Sequence, residues 1–433
     1  MQTPTQAQLH DMLEDGLLAL LALEDGTVFC GHPFGAVEAL CRGRRGEVVF
    51  NTSMTGYQEV CTDPSYRAQM VLMTYPLIGN YGATPADGES RRPWLSALLV
   101  RERCEEYSNW RATETLDRYL ARHGIPGMFG LDTRALTRHL RSQGTLRAVL
   151  RAYPTGMVPG EEEIAALAAE ARRVRSVSQL GVVEEVAKGR ISAWRTDARV
   201  HPHAARPLWR SVHPGLVACR GAGSTPAAAA DISTASPSPR VLLIDTGFKH
   251  SIARQLGERG LEVMVAPHTV TLAQVCRLHP DGVLLSNGPG DPENVAHLVK
   301  LTRAVLAAGL PLMGICLGHQ VLGLAIGATT SRLPFGHHGS NHPVVELRTG
   351  RVTLTAQNHG FQVDADSIPT DSGFYVSHVN LSDGSVEGLA HESLPVFSVQ
   401  FHPEAAPGPQ DNRYLFDRFA QLVAHERMAL LAG

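Results

Sequence analysis

Lysine is nearly absent from this chain, occurring only as Lys188, Lys249 and Lys300, while arginine supplies the rest of the positive charge. That imbalance reads as coding bias. With a formal net charge of −3 and a pI near 6.7, there is no basic field to hold nucleic acid. The seven cysteines are scattered without the paired spacing of a zinc site, and their odd number argues against a disulfide framework. A reducing cytoplasm is the expected location. No apolar run is long enough to cross a bilayer. The run that imitates a secretory signal, Leu17 to Leu23, follows Asp11, Glu14 and Asp15, where such a signal carries positive charge. Nor is there a Gly-Lys-Ser/Thr loop, so a phosphate cradle of that kind is excluded.

At 433 residues the chain is too long for one ordinary core and suits two or three domains. In residues 1–160, short apolar runs alternate with turn residues. Glu24-Asp25-Gly26-Thr27 before Val28-Phe29-Cys30 is a hairpin signal, and Gly46 to Phe50 and Val71 to Pro76 read as further strands. The expectation is a β-rich domain with some helices. Its polar stretch Asn51 to Glu59, which contains Ser53, reads from the residues alone as a solvated loop. Residues 161–240 read as a connection. A helical pattern runs from about 160 to 185, with Glu161-Glu162-Glu163 early and Arg172-Arg173 late, as the helix dipole favours. A low-complexity, flexible linker then covers 195–240.

From 241 to 433 the pattern changes. Val241 to Ile244, Leu261 to Ala266 and Val283 to Ser286 are apolar strands, and Ile252 to Leu256, Leu272 to Leu278 and Glu293 to Ala308 are helices. This alternation predicts an α/β fold, a doubly wound and largely parallel sheet covered on both faces. Such sheets bind ligands outside the carboxyl ends of their strands. Gly247, Gly288, Gly290, Cys316 and His402 all fall at that edge.

Two stretches there carry chemistry. Gly314-Ile315-Cys316-Leu317-Gly318-His319-Gln320 lies between an apolar strand and an apolar helix, and its glycines permit the sharp turn that lifts a nucleophile out of a sheet. A cysteine at a helix N-terminus is also favoured as thiolate. Downstream, Val396 to Glu404 reads as a buried strand ending in His402-Pro403-Glu404. Residues two apart on an extended chain project together, so His402 could serve as base to Cys316 while Glu404 orients the imidazole. The loop Asn287 to Pro292 stands beside the elbow, where backbone N–H groups of Gly290 and Leu317 could meet a tetrahedral oxygen.

The elbow, the His-Pro-Glu segment and the Ser286-Asn287-Gly288-Pro289-Gly290-Asp291-Pro292 loop together resemble class I (triad) glutamine amidotransferases over about residues 240 to 430. The Ser53 loop and Gly130-Leu131-Asp132-Thr133-Arg134 resemble the N-terminal domain of the small, glutamine-hydrolysing subunit of carbamoyl-phosphate synthase. The resemblance implies a catalytic triad of Cys316, His402 and Glu404. It also implies that L-glutamine is held by Ser53, Gly288, Gly290, Leu317, Gln320, Asn358, Gly360 and Phe361. A separate large subunit, forming a heterodimer with this chain within a higher assembly, would receive ammonia through a tunnel. That partner would use ATP, Mg2+ and bicarbonate to make carbamoyl phosphate for arginine and pyrimidine synthesis, leaving no cofactor in this chain.

Three histidines crowd Phe335 to His342, but no carboxylate or cysteine stands at ligand spacing and the resemblance implies no metal, so none is expected. Ser251, where the family commonly has asparagine, and Ser340, where glycine or alanine is common, depart from its pattern. Two other readings compete: another triad amidotransferase, such as the glutaminase part of a guanylate or anthranilate synthase, or a non-catalytic docking subunit. The Ser53-bearing domain argues against the first and the intact triad against the second.

Overall fold

The structure is a computed structural model that describes residues 16–194, 210–211 and 238–432, with Thr5 and Leu9 besides. The expected linker therefore falls almost wholly outside the described residues. None of the described helices is long and apolar enough to cross a membrane.

Leu18–Leu23 (β1) is apolar at every position and needs cover on both faces, which a closed sheet wrapped by helices provides. Through the Glu24 to Thr27 turn it pairs antiparallel with Val28–Gly35 (β2). Arg44–Asn51 (β3), Gln69–Met73 (β4), Ala97–Leu99 (β5), Pro126–Phe129 (β6) and Leu146–Tyr153 (β7) complete a barrel in the order β1-β2-β6-β5-β4-β3-β7, with β7 returning to β1. Short strands were legible in the sequence; closure was not, because it depends on pairings between distant segments. Leu21, Val48, Leu72, Leu99 and Met128 fill part of one core cluster. Asp132 caps the helix Thr133–Gln143, its carboxylate accepting from Ala135 N at 2.9 Å.

The stretch expected to be helical from 160 to 185 is broken. Glu161–Ala171 is a helix, a single 3-10 turn follows at Val177–Gln179, and Val182–Val186 is a second short helix. Ile164, Leu167 and Ala171 of the first piece pack on barrel residues Leu18, Leu20 and Val149, whereas Val183 joins the core of the following domain.

That domain is built on an eleven-stranded sheet: Ser192–Trp194 (β8), Arg210–Ser211 (β9), Arg240–Asp245 (β10), Glu262–Pro267 (β11), Gly282–Leu285 (β12), Leu312–Ile315 (β13), Thr330–Glu346 (β14), Val352–Val363 (β15), Phe374–Asn380 (β16), Val386–His391 (β17) and Val396–Val399 (β18). The order is β9-β8-β11-β10-β12-β13-β18-β17-β16-β14-β15. Its centre, β11-β10-β12-β13-β18, is parallel, as the apolar strands required. Antiparallel strands extend both edges. Alternate residues of β10 serve opposite faces: Val241 and Leu243 pack with Phe416 and Phe419, while Leu242 and Ile244 pack with Leu298 and Leu322. Both faces are thus covered by helices, Tyr414–Ala432 on one and Ala296–Ala307 with Leu317–Ala325 on the other.

Candidate active site

Cys316 joins β13 to the helix Leu317–Ala325 with φ 53° and ψ −105°. For a residue other than glycine that backbone costs about 1–3 kcal/mol and persists only where its surroundings impose it. A Cβ on Gly314 would stand 2.7 Å from the Gly318 carbonyl oxygen, and one on Gly318 2.2 Å from that of Leu285. The glycines are therefore required for close approach. Cys316 N donates to the Val399 carbonyl at 2.9 Å, tying the elbow to β18. Cys316 is buried, with Sγ 3.6 Å from the carbonyl oxygen of Asn358.

The expected extension of β18 to Glu404 is not what forms. The strand ends at Val399, His402 N reaches the Ala356 carbonyl at 2.8 Å, and Ala405 N closes a turn on the His402 carbonyl at 3.1 Å. It is this turn that sets His402 Nδ1 2.6 Å from Glu404 Oε1. With Nδ1 so engaged, Nε2 is left without a hydrogen-bond partner among the described residues, and the Cys316 thiol interacts with the ring.

Burial works against a charged imidazole here, but the Glu404 carboxylate, helped by the thiol, outweighs it and holds the His402 pKa up at about 10. Desolvation likewise pushes Glu404 up, yet Lys249 and His402 draw it down to about 2. Lys249 is the residue that sequence reasoning missed. Its Nζ lies 3.0 Å from Glu404 Oε1 and donates to the Ala405 carbonyl, with the side chain 2% exposed. Burial disfavours its charge, but Glu404 more than compensates and raises its pKa. A lysine so rare in the chain, set in the turn after the apolar strand β10, was the available signal.

A cleft of about 570 Å³ opens beside the thiol, lined by Gly288, Gly290, Cys316, Gln320, Asn358, Gly360 and Phe361, with Glu47 and Gln69 from the barrel. Gln357 to Phe361 lies within the long strand β15. Gln320 Nε2 donates to the Phe361 carbonyl at 2.9 Å and to Gln400 Oε1 at 3.1 Å. Two of the expected glutamine contacts lie apart from this cleft. The Leu317 side chain is buried in the core. Ser53, just past β3, lines a second cavity of about 260 Å³ with His402, Lys249 and Asn358, and its Oγ is 2.7 Å from Ser340 Oγ.

The ground for setting metal aside fails in three dimensions, because Glu387 on β17 comes within ligand distance of His337 and His359. Its carboxylate already accepts from Gln357 Nε2 and Asn380 Nδ2, each at 2.9 Å, and His337 Nε2 is 2.8 Å from Asp383 Oδ2. Burial disfavours a charged His337, but Glu387 and Asp383 raise its pKa, so an imidazolium suits the cluster.

A cysteine at a strained strand-to-helix turn and a buried histidine–carboxylate pair thus stand beside one cleft, the arrangement a nucleophilic site needs. Residues 242–422 match the family model of glutamine amidotransferase class I, which gives the class of the C-terminal domain. Residues 21–150 match that of the carbamoyl-phosphate synthase small chain, CPSase domain. The chain is 50% identical to the carbamoyl phosphate synthase small chain of Symbiobacterium thermophilum, over 93% of this chain and 97% of that one. It is 46% identical to the corresponding chain of Solidesulfovibrio magneticus, over 94% and 99%. With the carbamoyl phosphate synthase pyrimidine-specific small chain of Bacillus subtilis it shares 42% identity over 93% and 95%. The chain belongs to the carbamoyl phosphate synthase small chain family.

Proposed function

We propose that this chain hydrolyses L-glutamine through a cysteinyl thioester and passes the ammonia to a large subunit for carbamoyl phosphate synthesis. The observation that carries the reading is the Cys316, His402 and Glu404 constellation beside a cleft, with Lys249 locking the carboxylate. Cys316 Sγ, having given its proton to His402, attacks the side-chain amide carbon of glutamine as a thiolate. His402, protonated through its raised pKa, gives its proton to the departing ammonia. Water deprotonated by the now neutral imidazole then cleaves the thioester to glutamate. Glu404 stays ionised and holds the ring. Gly290 and Leu317 N–H groups serve the tetrahedral oxygen, and Gly288, Gln320, Asn358, Gly360 and Phe361 hold the substrate in the cleft, with Ser53 reaching it from the second cavity, which Asn358 also lines.

The large subunit forms a heterodimer with this chain in the cytoplasm and takes up ATP, Mg2+ and bicarbonate, consistent with a sequence that has no Gly-Lys-Ser/Thr loop. The product serves pyrimidine and arginine synthesis. Cys316→Ser in the chain assembled with its large subunit tests the reading. Glutamine-dependent synthesis is expected to vanish while ammonia-dependent synthesis persists; continued glutamine turnover refutes the assignment.

A further inference from the structure

The barrel reaches into the amidotransferase domain through three buried carboxylates. Glu47 accepts from Arg332 Nη2 on β14 at 2.7 Å, and Glu89 from Ser251 N and Oγ at 2.9 and 2.8 Å. Asp63 is different in where it ends. Its Oδ2 accepts from Asn358 Nδ2 at 2.8 Å, and its Oδ1 lies 3.5 Å from Asn287 Nδ2. Asn358 presents its carbonyl to Cys316 Sγ and its Oδ1 to His338 Nδ1 at 2.9 Å. Asn287 immediately precedes the Gly288-Pro289-Gly290 loop and accepts from Lys249 N at 3.1 Å. Asp63 thus holds the Asn358 wall directly, while Asn287 Nδ2 is held more closely by Ser65 Oγ at 3.1 Å, from the turn that Asp63 begins, and by the Gly247 carbonyl at 3.3 Å.

Asp63 is itself fixed. It is 4% exposed, it begins the 3-10 turn Pro64–Tyr66, and Ser65 N donates to its Oδ1 at 2.9 Å. A carboxylate held this way fixes both the direction and the distance of the amides that donate to it, and charge-assisted bonds are the stronger kind.

We propose that Asp63 is a positioning residue through which the N-terminal barrel holds Asn358 and the Asn287 loop in the geometry that binds glutamine. The inference rests on the function proposed above. Asp63 itself touches neither the reacting atoms nor the nucleophile; it acts through Asn358 and Asn287. Any displacement of the barrel against the sheet moves Asp63 and with it the strand that faces the thiol. The site's readiness is therefore tied to this contact and not to the interface as a whole.

The test uses the chain assembled with its large subunit in five forms: wild type, Asp63→Ala, Asp63→Asn, Glu89→Gln and Cys316→Ser. Asp63→Ala is expected to raise the glutamine KM about ten- to a hundredfold, the worth of a bond to a charged acceptor. Its ammonia-dependent rate is expected to stay within about twofold of wild type, as for a residue serving only the glutamine site. Asp63→Asn keeps an acceptor oxygen for Asn358 and is expected to raise KM less, about threefold or more. Glu89→Gln damages the same interface elsewhere, so it should lower the thermal midpoint and leave KM alone.

The proposal is overturned if Asp63→Ala leaves KM within about twofold of wild type, or if Glu89→Gln raises KM as much. Should Asp63→Ala not fold, an Asp63→Asn protein with unchanged KM overturns it equally. Glutamine turnover that survives in Cys316→Ser sinks the functional reading instead, which separates the two failures.

Discussion

Lys249→Met is the perturbation that most directly probes the site's electrostatics. Lys249 Nζ and Glu404 Oε1 are 3.0 Å apart, with side chains 2% and 0% exposed, so neither charge can turn to water. Removing one partner of a buried pair costs about 3–5 kcal/mol, chiefly because the other charge is stranded. Glu404 would keep His402, 2.6 Å away, as a second cation, so a loss near the lower end is expected, about 3 kcal/mol. In a two-domain chain the transition to follow is that of the domain carrying the pair, and a single variant would mix this loss with other effects. The quantity to read is the coupling in a cycle of Lys249→Met, Glu404→Gln and the double variant, taken from urea unfolding followed by circular dichroism. A coupling of about 2–3 kcal/mol is expected, since the double variant removes both charges of the pair together. If the cycle is additive within about 0.5 kcal/mol, the pair does not hold the carboxylate and the reasoning fails.

Gly318→Ala would place a Cβ 2.2 Å from a backbone oxygen that cannot yield, and a loss of about 3 kcal/mol or more, read as low soluble yield and a lowered thermal midpoint, is expected; a wild-type midpoint would contradict it. His402→Asn should lower glutamine-dependent turnover about 10²–10⁴-fold while sparing ammonia-dependent synthesis, and equal loss of both would point to misfolding. The pH dependence of stability has two opposite edges. His402, raised to about 10, contributes stability that is whole below its ordinary pKa of 6.5 and is lost as pH climbs through 10. Glu404, lowered to about 2, contributes stability present above 4.5 and lost as pH falls through 2. Urea midpoints of wild type and Glu404→Gln across that range should therefore converge at low pH, and parallel curves would remove Glu404 as the cause.

The elbow was legible because its cause is local: two glycines and a cysteine between an apolar strand and an apolar helix leave few alternatives. His402 and Glu404 were identified by a weaker argument, since alternation along a strand was invoked where a turn closed by Ala405 N brings them together. Pro403 marks both arrangements alike, so sequence alone does not separate them. Lys249 stayed hidden because an isolated basic residue normally lies at the surface, and only the fold reveals that Glu404 and the Ala405 carbonyl await it. Glu387 stayed hidden for the same reason. It lies 28 residues beyond His359 along the chain and reaches it only because the edge strands fold back antiparallel.

The family departures at Ser251 and Ser340 both fall on the seam between the domains, and their hydroxyls are employed there. Ser251 N and Oγ donate to Glu89 at 2.9 and 2.8 Å, so the hydroxyl still supplies a donor to that buried carboxylate. Ser340 Oγ lies 2.7 Å from Ser53 Oγ, the group assigned above to the substrate. A hydroxyl has one proton to give and two lone pairs to receive. If Ser53 gave its proton to Ser340, only acceptor capacity would remain for glutamine; if Ser340 donates, Ser53 keeps its proton free for an acceptor on the ligand. A glycine or alanine at 340 would remove the choice and leave Ser53 to the substrate alone. On the proposed function, Ser340 adds a partner that orients Ser53 ahead of the substrate, at the cost of a competing bond, and the balance between the two is set by which oxygen donates.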